Sequence, residues 1–300
     1  SLPEVQEARG IIFKEDTTMN KIFDLQRFGN LAKWDILTNK KFYIRIVIGL
    51  TVALAFIFCF NTWINTQGSS RIASGYHLDS LAGMSIFIAT VVMYVAATYI
   101  FNNMQTKEMR IEFLMQPASN FEKYMVRFLS MTVGVFLLAS ASIVVADLIH
   151  QLFCVVAGYD LRGSVTMHIL NNVNSEDARP GIFVMKGMEL NIGVATMEYA
   201  ALLFLLINHA FYTFCGSLFR RNVWLLAICS HFILGFTIVI CIFKLIDMGV
   251  FNVIFANETS ISITINTMLL VGTVITGLLY YASYKIFTRM QVINNKWLNL

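Results

Sequence analysis

His209 and His231 stand about ten residues before and about eleven residues after the centre of a turn near residues 219–220, so in an antiparallel helical hairpin they reach similar depth. Two imidazoles at one depth can share a proton or line a polar path; within membranes a structural hydrogen bond between helices is the commoner use. By the same spacing Glu198 lies level with Cys241 and about one turn from Lys244, which permits an ion pair near the outer surface or leaves Lys244 to snorkel to the headgroups. Asp147 and Arg45 stand at ends of apolar runs and are expected to anchor at the interface. No G-x-x-x-x-G-K-[ST] phosphate loop, G-x-G-x-x-G turn or H-E-x-x-H helix occurs, and Gly163-Ser164 and Gly216-Ser217 lack the flanks of a nucleophile elbow. No catalytic residue, metal ligand or resident cofactor is assigned, and the chain is not expected to be an enzyme. The 5 cysteines include no C-x-x-C pair. Cys59 and Cys154 could both face outward and bridge, whereas Cys215, Cys229 and Cys241 fall within apolar runs.

The elements that must position these groups follow from composition. In 300 residues, 57% are hydrophobic and 13% charged, against about 25% charged in soluble domains, which excludes an ordinary soluble domain. A net charge of +4 is too small and dispersed for a nucleic-acid surface. Six apolar runs reach the roughly 20 residues that a hydrocarbon core of about 30 Å demands: Phe42 to Phe60, Ala82 to Phe101, Phe128 to Ala146, Ala195 to Cys215, Val223 to Phe243 and Thr264 to Tyr284. With no water to satisfy the backbone these are helices, so the expected fold is an all-α membrane protein with six transmembrane helices. Of the 22 Lys and Arg, 17 fall before span one, between spans two and three, between four and five and after six, and 5 on the other side. The positive-inside rule then places both termini in the cytoplasm.

The expected organisation is a cytoplasmic arm over residues 1–41, a transmembrane domain over 42–284 and a cytoplasmic tail over 285–300. The arm lacks the apolar run of a secretory leader, so the first span is expected to insert itself. Residues 1–18, ahead of Met19, read as a poorly ordered extension. From Lys21 to Leu37, Ile22, Leu25, Phe28, Ala32 and Ile36 fall within an arc of about 120°, the pattern of a separate helix lying in the inner interface before span one.

The cytoplasmic segment 107–123 is more regular than a passive loop. Ile111, Leu114 and Met115 recur at helical spacing beside Glu108, Arg110 and Glu112, Pro117 breaks the pattern, and Ser119 with Glu122 forms a capping box for the helix that becomes span three. A short, charged, amphipathic helix is thus held between two spans. The outer segment 149–192, with Gly158, Gly163, Pro180 and Gly181, predicts a small folded cap or interfacial piece, and the apolar stretch Val250 to Phe255 predicts a dip into the outer leaflet.

Six spans with both ends inside, an interfacial helix before the first and a charged helix between the second and third together resemble the ABC-2 type permease family. Many members carry a run like E-x-R…L-L-x-x-P-x-S after their second span, and this sequence has Glu108, Arg110, Phe113, Leu114, Pro117 and Ser119 there. The resemblance implies that this segment is a coupling helix docking on a separate ATP-binding cassette subunit, with Glu108, Arg110, Glu112 and Phe113 in contact. It further implies a homo- or heterodimer of permease chains, ATP and Mg bound by the partner alone, a bacterial inner-membrane location, and export of a substrate. The outer connection after span three is longer than the family usually shows, and the one between spans five and six shorter. A reading from another class is a non-transporting sensor, immunity or assembly factor whose outer segment binds a partner. A secondary transporter moving protons on His209, His231 or Glu198 lacks the paired broken helices expected of one.

Overall fold

The computed structural model describes residues 23–67, 74–104, 107–159, 163–174, 181–185, 188–220, 222–250 and 257–290. Six of its helices are long and apolar enough to cross a membrane. In chain order the elements are α1 (Leu25–Gln67), α2 (Ser74–Thr98), a 3₁₀ turn (Asn102–Met104), α3 (Lys107–Leu114), α4 (Asn120–Leu129), a π turn (Ser130–Gly134), α5 (Val135–Ala157) and α6 (Val165–Asn174), then β1 (Gly181–Met185), β2 (Met188–Ile192), α7 (Val194–Leu218), α8 (Val223–Asp247) and α9 (Glu258–Arg289). All six expected spans lie within or closely overlap these helices, and α4, the π turn and α5 run together as span three. The strands β1 and β2 pair antiparallel as a hairpin within residues 149–192, a small addition to the expected all-helical chain. The extension over residues 1–18, and all but Val250 of the stretch Val250 to Phe255 expected to dip into the outer leaflet, lie outside the described residues.

One expectation is corrected in α1. The arm from Leu25 and span one form a single helix of 43 residues, about 65 Å long at 1.5 Å per residue, twice the hydrocarbon thickness. Neither Pro nor Gly stands between Leu31 and Ile48 to break it, so no separate interfacial helix forms. Leu25 and Ile36 of the apolar arc stay exposed, and α1 buries Leu31, Asp35 and Asn39 instead.

The bundle consists of two long helix pairs, α1 on α5 and α7 on α9, joined through α2, which packs against α7. The first pair encloses Leu50, Leu54 and Phe58 of α1 with Leu81 of α2, Ala139 and Ala146 of α5 and Val165 of α6. Small residues on α5 let the backbones approach, the device that packs helices where lipid removes any hydrophobic drive between them. At Gly216 α7 approaches the end of α2 so closely that a Cβ would meet Ala97 O and Thr98 O at 2.9 Å. Outward-facing Phe56, Phe87, Phe136, Phe232 and Phe236 are exposed, as side chains solvated by lipid tails should be. Most of α8 is exposed, with only Val223 and Ala227 buried.

Candidate functional site

The segment between α2 and α5 folds as an elbow at one end of the bundle. Its local geometry follows from short-range chemistry. Pro117 lacks an N–H to continue α3, and Ser119 restarts the chain as N-cap of α4. The Glu122 N–H donates to Ser119 Oγ at 3.2 Å, and the Ser119 N–H donates to Glu122 Oε2 at 2.8 Å, completing the expected capping box.

Longer-range contacts then clamp the elbow to α1. Glu122 is fully buried, and its carboxylate also accepts from the Asp24 N–H at 2.7 Å and from the Arg27 guanidinium at 2.9–3.2 Å. Farther along the same two helices the charges are reversed: Arg127 of α4 meets Asp35 of α1 at 2.8 Å. Arg127 also donates to Ile100 O and Tyr99 O at 2.7 and 3.1 Å. These carbonyls follow α2, where a cation offsets the negative end of the helix dipole. Lys123 Nζ similarly donates to Leu114 O at the end of α3. A buried charge persists when it is paired and hydrogen-bonded; Glu122 and Arg127 are so placed, and Lys123 is held by the carbonyl at the end of α3.

Beneath the elbow lies an aromatic cluster contributed by four helices and the turn that follows α2. Phe113 of α3 stacks on Trp34 of α1 and meets Phe287 of α9 edge-on. Phe287 in turn stacks on Phe101 at 5.0 Å, and Tyr124 of α4 contacts Tyr284 and donates its hydroxyl proton to Ser283 Oγ at 3.2 Å. A displacement of α3 therefore bears directly on α1, α4 and α9.

This packing decides which residues the elbow offers. Arg110 and Phe113, three apart, share the inward face and are 4% and 0% exposed. Arg110 donates to Met104 O at 3.3 and 3.4 Å, and burial, with the charge of Arg220 second, pushes its guanidinium below its ordinary pKa. Glu108 and Glu112, four apart, lie on the opposite, exposed face with Lys107, Met115 and Pro117. The expectation that all four of Glu108, Arg110, Glu112 and Phe113 present themselves to a partner is thus revised: two hold the elbow in place and two face out. Ser119 serves the cap.

The intramembrane candidates are not brought together. His209 Nδ1 is 2.9 Å from the Tyr280 hydroxyl, a bond between α7 and α9, and its ring packs edge-on against Phe128. His231 stacks on Tyr212 and lies against Phe211. No hydrogen bond joins the two histidines among the described residues. Glu198 and Lys244 are both exposed and form no ion pair with each other. Cys59 and Cys154 are free thiols, and no group of metal-ligating side chains occurs among the described residues.

At the opposite end the structure reveals a polar cluster that the sequence reading did not assemble. Thr62 Oγ1 lies 3.0 Å from His77 Nε2 and 2.8 Å from His150 Nε2. One hydroxyl can donate to one ring nitrogen and accept from the other, with the tautomers of the rings deciding which does which. Asp147, expected to anchor at the interface, is instead buried and accepts from Ser164 Oγ at 2.6 Å and from the N–H groups of Val165 and Thr166. The chain folds back after α5, and the carboxylate meets the positive start of α6.

No family model, no curated protein and no solved structure matches this chain. The functional reading therefore rests on its own residues.

Proposed function

We propose that this chain is the permease subunit of an ABC-2 type transporter, in which a separate ATP-binding subunit docks on the elbow and drives export of a substrate through the spans. The observation that carries this reading is the elbow: a helix of 8 residues fixed by buried charges and aromatic stacking to α1, α4 and α9, with Glu108, Glu112, Lys107 and Met115 exposed on its far side. Transmitting a partner's movement to spans needs a stiff lever with a solvent-facing edge, and this segment has both. The 17 to 5 division of basic residues supports a cytoplasmic elbow and cytoplasmic termini. The chain works as a homo- or heterodimer in a bacterial inner membrane, the partner binds ATP and Mg, and alternating access of the paired chains moves the substrate.

Photo-cross-linking separates the two faces of α3. A cross-linker in place of Glu112 or Met115 captures a P-loop ATPase, whereas one in place of Phe113 captures only this chain. Capture of an extracellular protein through the outer segment, with nothing trapped at the elbow, would instead favour a sensor, immunity or assembly factor.

A further inference from the structure

The long helix α1 carries an exposed face whose chemistry changes at one level. Lys40, Ile44, Ile48, Val52, Phe56 and Phe60 follow one another at intervals of four, a single ridge of the helix, and all are exposed. Lys33, Leu37, Lys41 and Arg45 form the adjacent ridge and are exposed too. Asp35, the one acidic residue of α1, is buried on the opposite side with Leu31 and Asn39. Lys33, Lys40, Lys41 and Arg45 join no ion pair among the described residues. Like charges four apart on a helix, as at Lys41 and Arg45, destabilise it, so this face is short of a counter-ion.

The far end of α1 fixes where these cations lie. Trp63 is exposed there, and an exposed Trp at a span end marks the headgroup level. A hydrocarbon core of about 30 Å takes about 20 residues of helix, which counted back from Trp63 reaches Tyr43. Lys40 and Lys41 therefore stand just beyond the hydrocarbon, in the layer that holds lipid phosphates, and Arg45, just inside it, reaches back along its aliphatic stem. Lys33 is roughly 10 Å farther out, about one Debye length, and adds only to the general field. From Ile44 to Phe60 the ridge below the cations is apolar throughout and faces acyl chains.

We propose that Lys40, Lys41 and Arg45 bind the headgroup of an anionic phospholipid whose acyl chains lie along the ridge from Ile44 to Phe60. Juxtamembrane cations attract anionic headgroups by their position alone, and here one helix face supplies both the charge and the apolar track. That continuity selects a lipid over an acidic protein, which would have to enter the membrane surface to reach Arg45. Across the helix from these cations Asp35 is clamped to Arg127, so the bound lipid steadies the part of α1 on which the elbow rests. The site requires no ATPase and stands apart from the docking of one.

The test uses the full chain in phosphatidylcholine nanodiscs titrated with phosphatidylglycerol, with retained lipid read by native mass spectrometry. The wild-type chain retains phosphatidylglycerol over phosphatidylcholine. Lys40→Gln with Lys41→Gln weakens that preference by about thirtyfold, near fivefold for each cation, and melts like wild type in pure phosphatidylcholine because both side chains are exposed. Lys40→Arg with Lys41→Arg keeps the charges and the preference, which guards against a folding defect in the glutamine variant. Lys244→Gln, which removes an exposed cation near the end of α8, leaves the preference unchanged. Equal retention of the two lipids by wild type, or a preference as strong in the double glutamine variant as in wild type, overturns the proposal. So does binding of polyglutamate that needs Lys40 and Lys41 while the two lipids are retained alike, which would assign the face to an acidic protein.

Discussion

Arg127 Nη1 lies 2.8 Å from Asp35 Oδ1, with both side chains at 0% exposure. The pair joins the N-terminal part of α1 to the start of span three across 92 positions of sequence. Because Arg127 also holds Ile100 O and Tyr99 O, one guanidinium ties three helices together. Removing Asp35 alone leaves a buried cation without its counter-charge, at a cost of about 3–5 kcal/mol. Asp35→Ala is therefore expected to lower the melting temperature in detergent sharply. Asp35→Ala with Arg127→Met should recover part of the loss, since it leaves no buried unpaired charge. A double variant as unstable as the sum of the two singles would contradict the coupling.

The elbow's cap and its clamp separate by magnitude. Ser119→Ala removes one side-chain acceptor and should cost about 1 kcal/mol. Glu122→Ala removes both the capping partner and the counter-charge of Arg27 and should cost clearly more. Equal melting temperatures for the two variants would mean that the Arg27 contact contributes nothing.

Gly216 tests the approach of α7 to α2. A methyl group there meets two backbone carbonyls at 2.9 Å, atoms that cannot rotate away, so Gly216→Ala should destabilise by about 1–3 kcal/mol. A melting temperature unchanged in Gly216→Ala would show that the helices separate freely at this point.

His209 and Tyr280 link α7 to α9 at 2.9 Å. Interhelical bonds of this kind contribute about 0.6 kcal/mol within membranes, with a ceiling near 1.7. Tyr280→Phe is expected to lower stability by that small amount and leave any transport activity intact. Loss of activity at unchanged stability would indicate that the histidine does more than hold two helices together.

The sequence was most legible where structure follows from neighbours in the chain. The six spans announced themselves because lipid demands long uninterrupted apolar runs, and the Ser119–Glu122 box because both partners lie within one turn. The inward turn of Arg110 and Phe113 was harder to foresee. Their three-residue spacing puts them on one face and Glu108 with Glu112 on the other, but only the position of Trp34 and Phe287 decides which face is buried. The continuity of α1 through residues 37–42 was hidden by the polar stretch Thr38 to Lys41, which reads as an interruption yet is stabilised by Asn39 donating to Asp35. The cluster of Thr62, His77 and His150 spans 88 positions, and no local pattern signals it. Burial of a lone histidine near a span end is settled by the tertiary fold alone.

The central claim is that the exposed edge of α3 receives an ATP-binding partner. The most direct measurement is purification of the tagged chain from its native membrane in a gentle detergent, with mass spectrometry of the proteins retained, for wild type and for Glu108→Arg with Glu112→Arg. The account predicts a P-loop ATPase at a stoichiometry near one per chain with wild type, and its loss from a double variant that inserts and melts normally. Reproducible absence of any ATPase from an intact, folded wild-type chain, or its undiminished retention by the double variant, would contradict it.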